Sequence, residues 1–223
     1  NTQFVLTTHD EVWLKHMVSA GLIGSTNSVR FSNWTPDHGP AEWNSRDIWT
    51  EIDSALKQND VRTAAGILRY YLEHVFKEVC DSLRAPVEFK GDGRYELGDV
   101  LPSAVRRLRD ILIDGKKVAE SWEKTTEAQA IDVREKSIGD CFRVSNAEQW
   151  QINPAIHYNG WANFTSADFT PVVDAFHDLV KKFYCEKPEC GGLLYLAVTP
   201  PKTLDTLRCV CGATNINLKK KSL

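Results

Sequence analysis

Four of the six cysteines in this 223-residue chain lie between positions 185 and 211. They form two short pairs, Cys185-x4-Cys190 and Cys209-x-Cys211, and a glycine follows each pair. A segment of about forty residues cannot bury enough apolar surface to fold alone, so a cross-link between the two pairs is expected. Four thiolates are a ligand set that zinc accepts in structural sites, and two disulfides are the alternative.

The segment between the two pairs predicts a hairpin. An apolar stretch covers residues 193–198, and the turn Pro200-Pro201 follows it. Glycine after each pair lets the backbone bend so that its N–H groups can point at sulfur. This layout resembles a zinc ribbon, although its x4 and x1 spacings depart from the common x2 pairs. The resemblance implies a structural Zn²⁺ that leaves no coordination position open for catalysis. Its ligands would be Cys185, Cys190, Cys209 and Cys211.

The two other cysteines, Cys80 and Cys141, stand alone in apolar-leaning helical sequence. Such a context is typical of buried free thiols in a reducing compartment, where disulfides are disfavoured. No apolar run approaches the length of a bilayer span, and no basic-then-apolar signal segment opens the chain. We therefore predict a cytoplasmic protein that does not bind membranes.

Charge is distributed unevenly along the chain. The 27 Lys and Arg residues and 30 Asp and Glu residues leave a net charge of −3. Residues 181–223 carry eight basic and three acidic residues, a net charge of +5, so the remainder carries −8. This asymmetry predicts that the tail meets DNA or RNA, or an acidic partner, through Lys219, Lys220 and Lys221. The alternative is a solvated basic end.

Apolar residues at helical spacing dominate the middle of the chain, and they predict helices over 46–56, 61–83, 100–113 and 166–184. A charged, weakly patterned segment over 116–148 is expected to be helical, with a loop around Gly139. The fold class expected is therefore mainly α. It comprises a short N-terminal α/β remnant over 1–45, a helical bundle over 46–184 and a small zinc ribbon over 185–223.

The N-terminal remnant contains two predicted strands, 3–7 and 28–34, the second followed by a loop marked by Pro36, Gly39 and Pro40. The first strand ends in Thr7-Thr8-His9-Asp10. This pattern resembles the last core strand and switch histidine of ABC-type ATPases of the SMC and RecF/RecN kind. The resemblance implies that His9 senses the γ-phosphate of ATP. The alternative is that His9 only caps the helix that follows.

The rest of an ATP site is missing from the sequence, which has no Gly-rich Walker loop, signature segment or acidic Walker B strand. The resemblance therefore implies that ATP is bound only together with sequence upstream of residue 1. The expected partner is that upstream ATPase region or a partner subunit.

The helical segment has two further motifs, Arg69-x3-Glu73 and Asn153-x3-His157. Their order resembles HEPN-like helical domains, whose active members cleave RNA across a homodimer with an Arg and a His. The resemblance implies that His157 acts in proton transfer. Ile152 stands where the neighbouring Arg would be, so a HEPN-like scaffold without cleavage is expected. Alternatively, His157 is a hydrogen-bonded core histidine.

These observations favour a non-catalytic C-terminal module of an SMC/RecF-like ATPase that acts on nucleic acid in DNA repair or phage defence. No enzymatic activity is expected of this chain alone. One alternative is a HEPN-type ribonuclease that uses His157 with an arginine such as Arg69 or Arg143. Another is a zinc-stapled protein-interaction adaptor.

Overall fold

The protein divides into two compact units, Asn1–Asp47 and Ile48–Leu223. The computed structural model describes residues 4–8, 13–14, 17, 22–23, 31–35, 39–42, 48–91, 93–156, 165–199 and 203–221. Within these ranges no helix is both long enough and apolar enough to cross a membrane.

The first unit contains a two-stranded antiparallel sheet of β1 (Phe31–Thr35) and β2 (Gly39–Glu42). The predicted strand over 28–34 corresponds to β1. The loop expected at Gly39 and Pro40 is wrong, because both residues belong to β2, where they pair with Thr35 and Trp34. A two-stranded sheet has only edge strands, and an edge strand tolerates a proline that donates no hydrogen bond.

The strand predicted over 3–7 is also wrong, since residues 4–8 have no regular secondary structure. Phe4 is 80% exposed and Val5 is 85% exposed. The apolar run predicted burial between neighbouring strands, but neither described strand of this unit pairs with it. His9, which follows this segment, lies outside the described residues.

The second unit is mainly helical, which confirms the predicted fold class. Its helices are α1 (Ile48–Lys57), α2 (Val61–Leu83), α3 (Leu97–Ser121), α4 (Thr125–Ile156) and α5 (Ser166–Lys181). An antiparallel sheet follows in the order β3 (Tyr195–Thr199), β4 (Thr203–Arg208) and β5 (Asn215–Asn217).

Helix α2 has clear start and stop signals. The Asp60 carboxylate accepts a hydrogen bond from the backbone N–H of Thr63 at 3.1 Å, which satisfies one of the free donors of the first turn. Arg84 ends the helix in the left-handed conformation, with φ 54° and ψ 47°. Between these residues the helix buries Leu68, Leu72 and Val79 completely. The spacing of these side chains is what predicted the helix over 61–83.

Helix α4 differs from its prediction, because it runs unbroken through Gly139 and the break lies at Trp122–Lys124 instead. The helix contacts α2, α3 and α5, so its inward residues are spread around its circumference and the apolar stripe is weak. At Gly139 it faces Arg109 of α3, whose Nε donates to Glu135 at 2.7 Å. This ion pair joins the two helices where a loop was expected.

The bundle core is aromatic where α2 and α5 meet the start of the ribbon. Phe76 and Phe183 pack edge to face with ring centroids 5.4 Å apart, and both are fully buried. Phe169 and Phe176 of α5 are likewise fully buried. The chain therefore enters the cysteine-rich segment from a residue anchored in the bundle.

Candidate metal centre

The first cysteine pair is held against the bundle by backbone hydrogen bonds. Leu194 donates to the carbonyl of Phe183 at 2.9 Å, and Cys185 donates to the carbonyl of Gly192 at 2.8 Å. These bonds close the loop that carries Cys190. Because Phe183 is fully buried, the position of Cys185 follows from bundle packing.

The second pair lies on the turn between β4 and β5. Arg208 pairs with Asn215, and the N–H of Cys209 donates to the carbonyl of Thr214 at 3.1 Å. Gly212 takes a φ of 76°, a left-handed conformation that glycine adopts without steric cost. The turn thereby brings Cys211 back toward Cys209.

The four sulfur atoms converge. All lie within 4.8 Å of one another, and all four cysteines are free thiols. Cys211 Sγ lies 3.4 Å from Cys209 Sγ and 3.7 Å from Cys185 Sγ. A tetrahedral metal with Zn–S bonds of about 2.3 Å needs sulfur atoms separated by about 3.8 Å. The structure therefore confirms the predicted quartet as a group that could hold a metal ion.

Backbone donors support the sulfurs, as the glycine positions predicted for the second pair. The N–H of Thr214 donates to Cys209 Sγ at 3.2 Å, and the N–H of Ala213 donates to Cys211 Sγ at 3.5 Å. Such bonds disperse the negative charge of thiolates. Hydrogen bonds of this kind also hold sulfur atoms in the orientation that a metal requires.

The thiols differ in acidity. Burial raises the pKa of Cys209, but the N–H of Thr214 and the thiols of Cys211 and Cys185 outweigh it and lower that pKa to about 6. The N–H of Ala213 lowers the pKa of Cys211, yet the neighbouring thiols of Cys190 and Cys209 raise it to about 12. Close thiols without a cation cannot all ionise, because each thiolate opposes the next. A divalent cation would remove that opposition.

The ribbon packs directly on helix α3. A Cβ placed on Gly115 would lie 2.6 Å from Ile216 Cγ2, so only glycine permits this approach. Further along α3, Trp122 Nε1 donates to the carbonyl of Lys219 at 3.1 Å, and Ser121 Oγ accepts from the N–H of Lys221 at 3.4 Å. The segment that follows β5 thus runs along the end of the helix.

The three predicted nucleic-acid lysines, Lys219, Lys220 and Lys221, are all exposed. Lys219 Nζ lies 2.9 Å from the Asp205 carboxylate, and Lys221 Nζ lies 5.9 Å from the centre of the Trp122 ring. Two of the three cations therefore interact with their own chain while remaining accessible. Their role in binding nucleic acid stays a prediction.

The catalytic candidate His157 lies outside the described residues, and Asn153 lies in α4. Arg69 Nε donates to Glu73 Oε1 at 2.8 Å, an ion pair one helical turn apart. Arg143 pairs with Asp140 at 2.9 Å on the exposed side of α4. The ribonuclease alternative stays a prediction.

The two lone cysteines differ in their surroundings. Cys80 is buried, and its thiol donates to the carbonyl of Val100 at 3.3 Å, as predicted for a core thiol. Burial raises the pKa of Cys80 to about 11. Cys141 is only half-buried, so for this residue the prediction of a buried thiol is too strong.

The sequence did not indicate the residues that contact the ribbon, above all Gly115 and Trp122. An isolated glycine within a helical pattern is the signal that could have indicated a close approach at Gly115. Trp122 has no comparable signal, because its partner is a backbone carbonyl 97 residues away.

Comparison with protein-family models, curated proteins and solved structures finds no match for this chain.

Proposed function

We propose that the cysteine quartet binds one structural Zn²⁺. The observation that carries this proposal is the convergence of four free thiols within 4.8 Å of one another. Zinc is the divalent ion for which four thiolates in a tetrahedron are the common structural site. Bound there, zinc supplies a cross-link between the two cysteine pairs and no open position for a substrate.

We further propose that the chain is a non-catalytic module that acts on nucleic acid. Its support is the net charge of +5 over residues 181–223, which four thiolates and one Zn²⁺ reduce to about +3. The exposed lysines 219–221 lie on this ribbon. The sequence resemblance around His9 adds the proposal that an SMC/RecF-like ATPase region works with this module.

Metal analysis of the purified chain tests the zinc proposal. We expect one equivalent of zinc per chain, released by a chelator together with the loss of ribbon structure. Less than half an equivalent after expression in zinc-supplemented medium would contradict it.

Nucleic-acid binding is tested by titrating the zinc-loaded chain into labelled DNA and RNA at several salt concentrations. Because binding releases counterions, we expect the affinity to fall steeply as salt rises. No binding at low salt would contradict this part of the proposal and leave the zinc site unaffected.

A further inference from the structure

The two faces of the three-stranded sheet have different environments. Residues paired across neighbouring strands share a face, so the register places Leu196, Leu207 and Ile216 in one row. Their exposed fractions are 5%, 0% and 8%. Ile216 contacts α3 at Gly115, so this row faces the helices. The residues that alternate with this row point away from the helices.

Two rows make up the opposite face, which we call the outer sheet face. The row nearer the cysteines is Tyr195, Arg208 and Asn215, and the second row is Ala197, Thr206 and Asn217. Each of the six is half-buried or exposed, and none is acidic. The register shift of β3 begins after Ala197, so both rows keep regular alternation.

Arg208 occupies the centre of the outer sheet face, on the middle strand between Tyr195 and Asn215. It forms no ion pair with a carboxylate among the described residues, and its Nε is buried without a hydrogen-bond partner. Among the described residues its guanidinium therefore has no carboxylate partner.

Beyond β5 the chain continues directly into the lysine run. Asn217 holds this exit in place, because its side chain accepts from the N–H of Lys219 at 3.0 Å and donates to the carbonyl of Lys219 at 3.2 Å. The exposed run 219–221 thus begins two residues after Asn217 of the outer sheet face, although Lys219 Nζ pairs with Asp205 and Lys221 Nζ lies over the Trp122 ring on the side of α3. The outer sheet face therefore combines an aromatic ring, a central arginine and neighbouring amides, and a cationic segment follows the end of its last strand.

We propose that the outer sheet face binds single-stranded nucleic acid, with a base stacked on Tyr195 and the phosphates held by Arg208 and by Lys220. The inference rests on the proposed function and names the surface and the ligand class. An aromatic side chain can stack on a base only when the base is not already stacked within a duplex, and single strands offer such bases. Three strands span about 10 Å, which suits two or three nucleotides.

The test uses the zinc-loaded full chain and fluorescein-labelled oligouridine and oligothymidine of about twelve nucleotides, with a duplex of the same length. Fluorescence anisotropy gives the dissociation constants. We expect Tyr195→Ala to weaken single-strand binding by about 5- to 100-fold and Tyr195→Phe to retain it. Lys220→Gln should reduce the slope of log K against log salt by about 0.7 to 1.

The matched control is Tyr70→Ala, which removes a tyrosine that is 64% exposed on α2. It should bind as the unmodified chain does. Zinc content and circular dichroism of every variant establish that the ribbon is intact.

If Tyr195→Ala binds as tightly as Tyr70→Ala, the outer sheet face is not the site, although the proposed function stands. Tighter binding to the duplex than to either single strand would also overturn the inference. No binding to any of the three would overturn the proposed function itself.

Discussion

The helical bundle buries Phe76, Phe169, Phe176 and Ile138 completely. Among its described side chains, the ribbon buries only four large apolar ones, Leu194, Leu196, Leu207 and Ile216, and then relies on four cysteines. The bundle has enough length to surround its side chains with other helices. The ribbon has a single sheet, so only one face can be buried. A metal cross-link compensates for the missing second layer, since small domains seldom form a sufficient core alone. The two regions therefore respond to different perturbations.

The largest difference is expected on loss of the metal site. Cys209→Ser removes one of the four thiolates, and structural zinc contributes about 10–16 kcal/mol in small zinc-dependent folds. We expect the amides of β4 and β5 to lose hydrogen-exchange protection while those of α2 keep theirs. Cys141→Ser, at a cysteine outside the quartet, should leave the hydrogen-exchange protection and the zinc content unchanged. Equal zinc content in the two variants would contradict the proposed ligand set.

A truncation in the bundle core should lower the stability of the bundle and leave the metal site intact. Phe176→Ala removes a fully buried ring of α5, and such truncations cost about 3–5 kcal/mol in the free energy of unfolding. Urea denaturation followed by circular dichroism measures the loss, and the zinc content of the folded protein should stay at one equivalent. Phe89→Ala, at a phenylalanine that is 86% exposed, should change stability by less than about 0.5 kcal/mol.

The contact between the two regions can be tested at Gly115. In Gly115→Ala the new Cβ would lie 2.6 Å from Ile216 Cγ2, so the ribbon must shift away from α3. Overpacking costs about 1–3 kcal/mol, and the higher helix propensity of alanine offsets up to about 1 kcal/mol. We expect a net loss of about 1–2 kcal/mol in urea denaturation.

Gly98→Ala is the matched control on the same helix, because a Cβ at Gly98 meets nothing within 4 Å. It should leave the protein as stable as before or stabilise it. If both alanine variants are equally stable, the ribbon does not approach α3 as closely as described.

The smallest effect is expected at Asp132, where hydrogen bonds from Lys116 and Lys136 lower the pKa of the carboxyl to about 2. A lowered folded-state pKa stabilises the protein above the ordinary value of 3.8, and this contribution is lost as the pH falls toward the folded value. Urea denaturation of Asp132→Asn and of the unmodified chain should give stabilities that converge between about pH 5 and pH 2. A constant difference across this range would contradict the assigned hydrogen bonds.

Local sequence patterns were sufficient to predict much of this molecule. Helices α1, α2 and α5 follow from regularly spaced apolar residues, and the cysteine quartet follows from two short pairs with glycines. Each of these signals lies within a few turns or a few residues. Helix α4 was harder, because contacts with three neighbours spread its apolar positions and hid where it begins.

Other features depend on residues far apart in the chain. The apolar run within residues 3–7 predicts a buried strand, yet burial requires a partner strand that local sequence does not specify. The contact between Ile216 and Gly115 joins positions 101 residues apart. The residues of the outer sheet face are known only from the register of three strands.

Periodicity, spacing and charge are local properties, so the helical class of the second unit, the quartet of thiols and the basic end of the chain can all be inferred from the amino-acid order. The packing of the ribbon against α3, and hence the accessible face of its sheet, cannot be inferred in this way. Either face of a strand can remain accessible until the other is buried. That burial depends on a helix distant in sequence.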